Sequence, residues 1–289
     1  HGRYYVDHVS RFDQPEISRL FSEDLSLPKA LADDLKEFDV ILSYVGGADR
    51  TFTRNLKRVN SRRVIAQSSL PDPRERVHII DHLLKPVLDL GLEPPSKIPK
   101  LYLTGEDRRF AELFLSRHGI RTDDDVVIAI HPGSGGRQKC WPAERFAEVI
   151  RRLSEEDASR VLLIEGPADG DGVKKILDTV PGLKPTLLRN LSLVELASIL
   201  ERCHAFLGND SGVTHLAAAV GTKALAIFGP TDPEIWGPRG EHVEVVYHPC
   251  SCSPCKTDRR RTCRCLECLG NIGVSEVMDA LRTFVYRTP

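Results

Sequence analysis

Residues 204–231 read HAFLGNDSGVTHLAAAVGTKALAIFGPT, and the order of residue types in them decides the fold class. An apolar run (Ala205, Phe206, Leu207) enters the polar turn Asn209-Asp210-Ser211-Gly212. A small-residue stretch, Val213 to Val220, leads to Gly221, and a second apolar run, Ala224 to Phe228, ends at Gly229-Pro230. Strand, tight turn, helix, strand is the βαβ element of a parallel sheet. The turn falls at the carboxyl end of a strand and opens a helix, so its backbone N–H groups face the crevice where open α/β sheets bind ligands. A helix start of this kind favours phosphate. Ala217-Ala218-Ala219 permits close approach to a neighbouring strand or ligand, and His215 sits one turn in. Read alone, Asp-Ser-Gly is a plain N-cap, with Asp210 or Ser211 capping and His215 hydrogen-bonded in the core. The flanking segments decide between the two.

Outward from this unit the alternation continues. Phe110 to His118 reads as a helix ending at Gly119, and Val126 to Ile130 as a buried strand. Pro142 suits a first helical position, with Phe146, Val149, Ile150 and Leu153 at helical spacing. Val161 to Ile164 is the next strand, and Val173, Ile176, Leu177 and Val180 mark the next helix. Ser192 and Glu195 form a capping box, and Val243 to Tyr247 is the last strand. One doubly wound, mostly parallel domain follows from this pattern.

Residues 1–100 are less regular. Tyr4 to Val9, Val40 to Val45 and Val64 to Ala66 are candidate strands; Ile17 to Phe21, Ala30 to Phe38 and Thr51 to Val59 are candidate helices. His78 to Leu90 has helical spacing that Pro86 interrupts. Glu93-Pro94-Pro95-Ser96-Lys97-Ile98-Pro99 reads as a linker.

The bulk numbers bound the function classes. The 289 residues are 41% hydrophobic and 28% charged, a soluble globular composition with room for two domains, and the net charge of −1 supplies no global field toward nucleic acid. The basic runs Arg58 to Arg63 and Arg259-Arg260-Arg261 read as solvated faces. No apolar run has the length of a spanning helix and no signal-peptide order is present, which implies a cytoplasmic location.

Two further polar segments follow strands. His131-Pro132-Gly133-Ser134-Gly135-Gly136-Arg137-Gln138-Lys139 offers backbone amides, the Ser134 hydroxyl and the Lys139 charge to an anion. It is neither a Walker A loop, since Cys140 follows the lysine, nor GxGxxG, since Gln138 stands at the third glycine. An ordinary glycine-rich connection accounts for it equally well. Gly166-Pro167-Ala168-Asp169-Gly170-Asp171-Gly172 places an acidic side chain where ribose hydroxyls are held in nucleotide-binding sheets, or is simply a turn.

Together HPGSGGRQKCWPAERFAEVI, the glycine-acidic turn and FLGNDSGVTHLAAAVGTKALAIFGPTDPEIWGP resemble the bacterial ADP-heptose:lipopolysaccharide heptosyltransferase family, glycosyltransferase family nine, through most of residues 100 to 285. The resemblance implies an α/β chain of GT-B fold with two Rossmann-like, doubly wound domains. Residues 1–100 would be a partial acceptor-side domain, 101–273 the nucleotide-sugar domain, and 274–289 a helix packing back toward the first. It implies inverting transfer of heptose, or a related sugar, from an ADP-sugar to a lipopolysaccharide core or other glycan acceptor at the inner membrane surface, without a required metal. Ser134, Gly135 and Lys139 would meet the donor phosphates, with Lys139 as the catalytic cation; Asp169 the ribose; Ser211, Gly212 and the amides after Asp210 the diphosphate. Asp210 would hold sugar hydroxyls, and His215 would support the turn or reach a phosphate oxygen. In family members a carboxylate base lies in a glycine-aspartate motif after the first strand. This sequence has no such motif near its start, so a truncated or diverged N-terminal domain is expected. A donor-binding, non-catalytic module and a nucleotide-sugar epimerase are the alternative readings.

Six of the eight cysteines (Cys250, Cys252, Cys255, Cys263, Cys265, Cys268) lie within residues 250–268. Cys252/Cys255 and Cys265/Cys268 have CxxC spacing. Structural zinc and a metal-free structural clip stand side by side as readings; a cytoplasmic setting disfavours disulfides.

Overall fold

The computed structural model describes residues 6–45, 50–60, 62–156, 159–255, 263 and 266–286. The chain divides into two compact units, Gly2–Lys97 and Ile98–Pro289.

In the first unit the order is α1 (Pro15–Ser18), α2 (Lys29–Glu37), β1 (Val40–Ser43), α3 (Arg50–Val59), β2 (Arg63–Ala66) and α4 (Ile79–Leu88). β1 and β2 pair in parallel, Val40 opposite Arg63 and Ser43 opposite Ala66. One face of α3 supplies Phe52 and Leu56 to a small core with Leu20. Two buried asparagines tie this unit together. Asn55 donates to the carbonyls of Leu20 and Ser22 at 3.0 and 2.7 Å, and Asn60 to those of Leu35 and Phe38 at 2.7 and 2.8 Å.

Two expectations change here. Val6 to Val9 form no strand, and Tyr4 and Tyr5 lie outside the described residues; the apolar side chains Val6 and Val9 are exposed rather than packed on a sheet face. Pro86 does not interrupt its helix, which runs on to Leu88. A proline removes the N–H that would bond the carbonyl four residues back. That carbonyl, on His82, instead accepts from Gln67 Nε2 at 2.5 Å.

The second unit holds α5 (Gly105–Arg117), β3 (Val127–His131), α6 (Ala143–Glu156), β4 (Arg160–Glu165), α7 (Gly170–Thr179), β5 (Thr186–Arg189), α8 (Leu193–Glu201), β6 (Ala205–Asn209), α9 (Gly212–Ala219), β7 (Ala224–Phe228), α10 (Pro233–Trp236), β8 (Val243–Tyr247), α11 (Glu267–Gly270) and α12 (Val274–Tyr286). Its sheet has the order β5-β4-β3-β6-β7-β8, and every pairing is parallel. This is the doubly wound order in which the chain reverses direction across the sheet between the first and fourth strands, here β3 and β6.

Every residue of β3, β6 and β7 is buried, as a sheet covered on both faces requires. One face packs on α6, α7 and α12 through Phe146, Ile150, Ile176, Val277 and Leu281. The other packs on α5, α8 and α9 through Leu115, Ile199, Leu200 and Ala217. The capping box of α8 forms as spelled: Ser192 Oγ accepts from the Glu195 N–H at 3.2 Å, and the Ser192 N–H donates to Glu195 Oε2 at 2.7 Å. Among the described residues no helix is long and apolar enough to cross a membrane.

Candidate functional site

The crossover between β3 and β6 brings their carboxyl ends side by side, with His131 opposite Gly208. Loops leaving parallel strands at such a point are where open α/β sheets bind ligands. The two loops are joined by Asn209, which is fully buried at the end of β6. Its Oδ1 accepts from the Trp141 N–H at 2.9 Å, and its Nδ2 donates to the Pro132 carbonyl at 2.7 Å. The 132–139 loop is thereby held against β6 at both ends.

Within this frame Ser134, Lys139 and Asp210 converge. Ser134 Oγ donates to the Asp210 carbonyl at 2.6 Å, and Lys139 Nζ lies 2.8 Å from Asp210 Oδ2. Thr231, from the loop after β7, donates its hydroxyl to the same Oδ2 at 2.6 Å. Asp210 is therefore buried but satisfied. An ammonium carries three N–H donors, so Lys139 keeps donor capacity beyond Asp210.

Ser211 is the N-cap of α9, its Oγ accepting from the Thr214 N–H. The helix opens at Gly212, which is exposed, so the positive end of the helix dipole meets solvent beside Lys139. Gly135, in the facing loop, is exposed too, with open space where a side chain would stand. His215 lies one turn into α9, half-buried. Burial lowers its pKa, Asp210 and a hydrogen bond with the Trp236 backbone oppose that shift, and Lys139 adds to it.

Asp169 takes a different direction. Its Oδ2 meets His131 Nε2 at 3.0 Å and accepts the Gly166 N–H at 2.9 Å. The other ring nitrogen, His131 Nδ1, lies 3.2 Å from Ser211 Oγ. A chain of contacts thus runs Asp169, His131, Ser211 and links the loops after β4, β3 and β6. The bond to His131 holds the Asp169 carboxyl below its ordinary pKa, against the effect of burial. Glycine at 133 makes room for Asp169: a Cβ there would stand 2.1 Å from the Asp169 carboxyl, which would have to move.

Of the residues expected from sequence, Ser134, Lys139, Asp210, Ser211, Gly212 and His215 gather at the start of α9, with Gly135 on the loop facing it. Asp169 reaches this group only through His131. Sequence reasoning passed over His131, Asn209 and Thr231 as ligand-shaping residues. The one local signal was that each is a polar residue at or just beyond the end of a strand.

Cys140 directly follows Lys139 and lies near the site, where Asp169 and Lys139 both act on its thiol. Cys250 and Cys252 bring their Sγ atoms to 3.3 Å. Among the described residues no group of three or more His, Cys, Asp or Glu is placed to hold a metal ion. Cys265 and the basic run Arg259-Arg260-Arg261 lie outside the described residues.

Comparison with known proteins adds three findings. The chain matches glycosyltransferase family 9 (heptosyltransferase) over residues 53–266. It is 29% identical over 125 residues to lipopolysaccharide heptosyltransferase 2 of Salmonella typhimurium, an alignment covering 42% of this chain and 36% of that relative. The aligned part of this chain therefore spans about a third of that relative's length. Among solved structures, the glycosyl transferase family 9 protein of Veillonella parvula superposes with a TM-score of 0.75 at 21% identity, over 90% of this chain and 78% of its own. The ADP-heptose lps heptosyltransferase II of E. coli does so with a TM-score of 0.68 at 17% identity, over 89% and 80%. At these identities the likeness shows the fold, which is GT-B.

Proposed function

The chain belongs to glycosyltransferase family 9, and from that premise we propose that it transfers heptose, or a related sugar, from an ADP-sugar to a lipopolysaccharide-type glycan acceptor with inversion. The observation that carries the reading is the meeting of Lys139 with the open start of α9 at the β3/β6 crossover.

In such a transfer an acceptor hydroxyl forms the new bond to the anomeric carbon, giving up its proton to a base or to water, as the bond to the diphosphate oxygen breaks. Negative charge grows on the departing ADP, and positive charge on the sugar. Preorganised donors aimed at the growing anion lower the barrier. The Lys139 ammonium and the first N–H groups of α9 fill that role for the diphosphate, with Ser134 and Gly135 lining the opposite loop. Asp210, an anion held in place by Lys139, Ser134 and Thr231, suits the sugar hydroxyls and the oxocarbenium side rather than phosphate. Asp169 approaches the ribose with the oxygen that His131 does not use. His215, kept neutral by burial, adds no charge to the site.

Calorimetry of ADP and ADP-heptose binding to this chain and to Lys139→Ala, with UDP as control, tests the donor site. Binding of ADP but not UDP, weakened by the substitution, is the expected result. No nucleotide binding by the folded protein would remove the donor assignment. A product assay then distinguishes transfer, which requires an acceptor, from epimerisation, which does not.

A further inference from the structure

The two CxxC spacings of residues 250–268 leave out Cys250, and the fold supplies its partner. After β8 the chain makes a tight turn, Cys250-Ser251-Cys252-Ser253, closed by two hydrogen bonds. The Ser253 N–H donates to the Cys250 carbonyl at 3.0 Å, and the Cys250 N–H donates to Ser253 Oγ at 2.8 Å. The turn puts both sulfurs on one side, with Cys250 Sγ 3.3 Å from Cys252 Sγ. Cys252 is exposed and Cys250 half-buried, so the pair is open to solvent.

The same turn makes the two thiols unequal. The Cys252 backbone N–H, the Cys252 thiol and Ser253 donate to the Cys250 sulfur and bring its pKa down to about 7. Donating to that sulfur pushes the Cys252 thiol up to about 12. Cys140, Cys203 and Cys268 are pushed upward too, in each case chiefly by burial. A cysteine attacks a disulfide as its thiolate, and best when its pKa lies near the ambient pH. Of these five cysteines Cys250 alone meets that condition.

A disulfide that stabilises a fold does so by closing a long loop of the unfolded chain. A bond from Cys250 to Cys252 would enclose Ser251 alone, within a turn that hydrogen bonds already close, so it adds little as a staple. Exposed disulfides of this kind are the labile ones. We propose that Cys250 and Cys252 are a thiol–disulfide exchange site whose substrates are small, water-soluble disulfides.

In the first step the Cys250 thiolate bonds to one sulfur of a disulfide RS–SR, the RS–SR bond breaks and one RS⁻ leaves. The hydrogen bond and charge that held the Cys252 proton are then gone. The Cys252 sulfur bonds to Cys250 as the bond from Cys250 to the remaining SR breaks. Two cysteine thiols are thereby oxidised to one disulfide. The small disulfide is reduced to two RSH, which take up the protons that the cysteines release. The proposal does not depend on the donor reading, because it involves none of the same residues.

The test incubates the full chain with glutathione disulfide without air, blocks the remaining thiols by alkylation and maps the bonds by mass spectrometry. The wild type should form the Cys250–Cys252 bond, and reduced glutathione should reopen it. Cys252→Ser keeps a donor beside Cys250 but blocks the second step. Glutathione should therefore stay attached at Cys250, accumulating at least about tenfold faster there than at Cys140 or Cys268. Cys255→Ser keeps both members of the pair and should form the bond within about threefold of the wild-type rate. A wild-type bond that bypasses Cys250, a bond that reduced glutathione leaves closed, or a Cys252→Ser chain that gains glutathione no faster at Cys250 than at Cys140 overturns the proposal. So does a wild-type chain in which a bound metal ion keeps both thiols from reacting. The wild-type arm decides by itself if a variant fails to fold.

Discussion

Lys139 and Asp210 come from loops on the two strands that flank the sheet's crossover, and their charged groups meet at 2.8 Å with Asp210 almost wholly buried. The pair has a structural and a chemical consequence, and they separate by mutation. Removing one partner of a buried pair leaves the other uncompensated, which typically costs about 3–5 kcal/mol. Lys139 retains some exposure and Asp210 keeps the Thr231 hydroxyl, so Lys139→Met should lie at or below the bottom of that range. The double variant Lys139→Met/Asp210→Asn should recover most of the lost stability but none of the activity. Urea titrations and turnover on the wild type, the two single variants Lys139→Met and Asp210→Asn, and the double variant measure both. Recovery of turnover with stability would reduce the pair to a structural strut.

Asn209 makes a sharper structural prediction. Its amide satisfies the buried Trp141 N–H and the Pro132 carbonyl together. Asn209→Ala leaves both unpaired at roughly 1–3 kcal/mol each, so a loss of about 2–6 kcal/mol is expected. The 132–139 loop loses its anchor in the same step. ADP affinity should therefore fall even at temperatures where the variant stays folded, which calorimetry well below its thermal midpoint would show.

How much of this was legible beforehand depends on the range over which the information acts. The 204–231 unit could be read because both its strands are continuous apolar runs buried on both faces, and because the turn residues stand next to each other. Strand β5 escaped notice because it is four residues long, lies at the sheet edge and buries only Leu188 fully. The continuation of α4 through Pro86 depends on Gln67, whose side chain reaches a carbonyl 15 residues away, and no helical period encodes that. Lys139 and Asp210 were visible as polar residues after strands. His131 was not singled out, because its role rests on Asp169 and Ser211, 38 and 80 residues further along the chain. Only the sheet order brings those three loops together.

Gly133 and Asp169 should prove interdependent. A methyl at 133 would stand 2.1 Å from the Asp169 carboxyl, too close for any rotamer adjustment of the alanine itself. Gly133→Ala is expected to cost about 1–3 kcal/mol, as overpacking does, by turning Asp169 away from His131. Asp169→Gly in the same chain removes the obstacle. The double variant should thus be less destabilised than the sum of the two singles. Additive losses in denaturant titrations would mean that Asp169 is not what confines residue 133 to glycine.

His215 sets the last expectation, through pH. Burial lowers its folded-state pKa below the ordinary value of about 6.5. The unfolded chain therefore binds a proton on this ring at a higher pH than the folded protein does. Where the unfolded state holds more protons, stability rises with pH, so the contribution of His215 is complete above about pH 7. It is lost as pH falls from about 6.5 through the lowered folded value. His215→Gln keeps a polar side chain of similar reach without a titrating group, and should flatten the stability profile between pH 7 and 5 relative to wild type. Asp169 does not confuse this window, since its carboxyl is held below the ordinary carboxylate value and titrates at lower pH. Urea midpoints for both proteins at half-unit intervals provide the measurement. Parallel curves over that range would mean that the ring is protonated equally in both states, and that the start of α9 tolerates a cation beside Lys139.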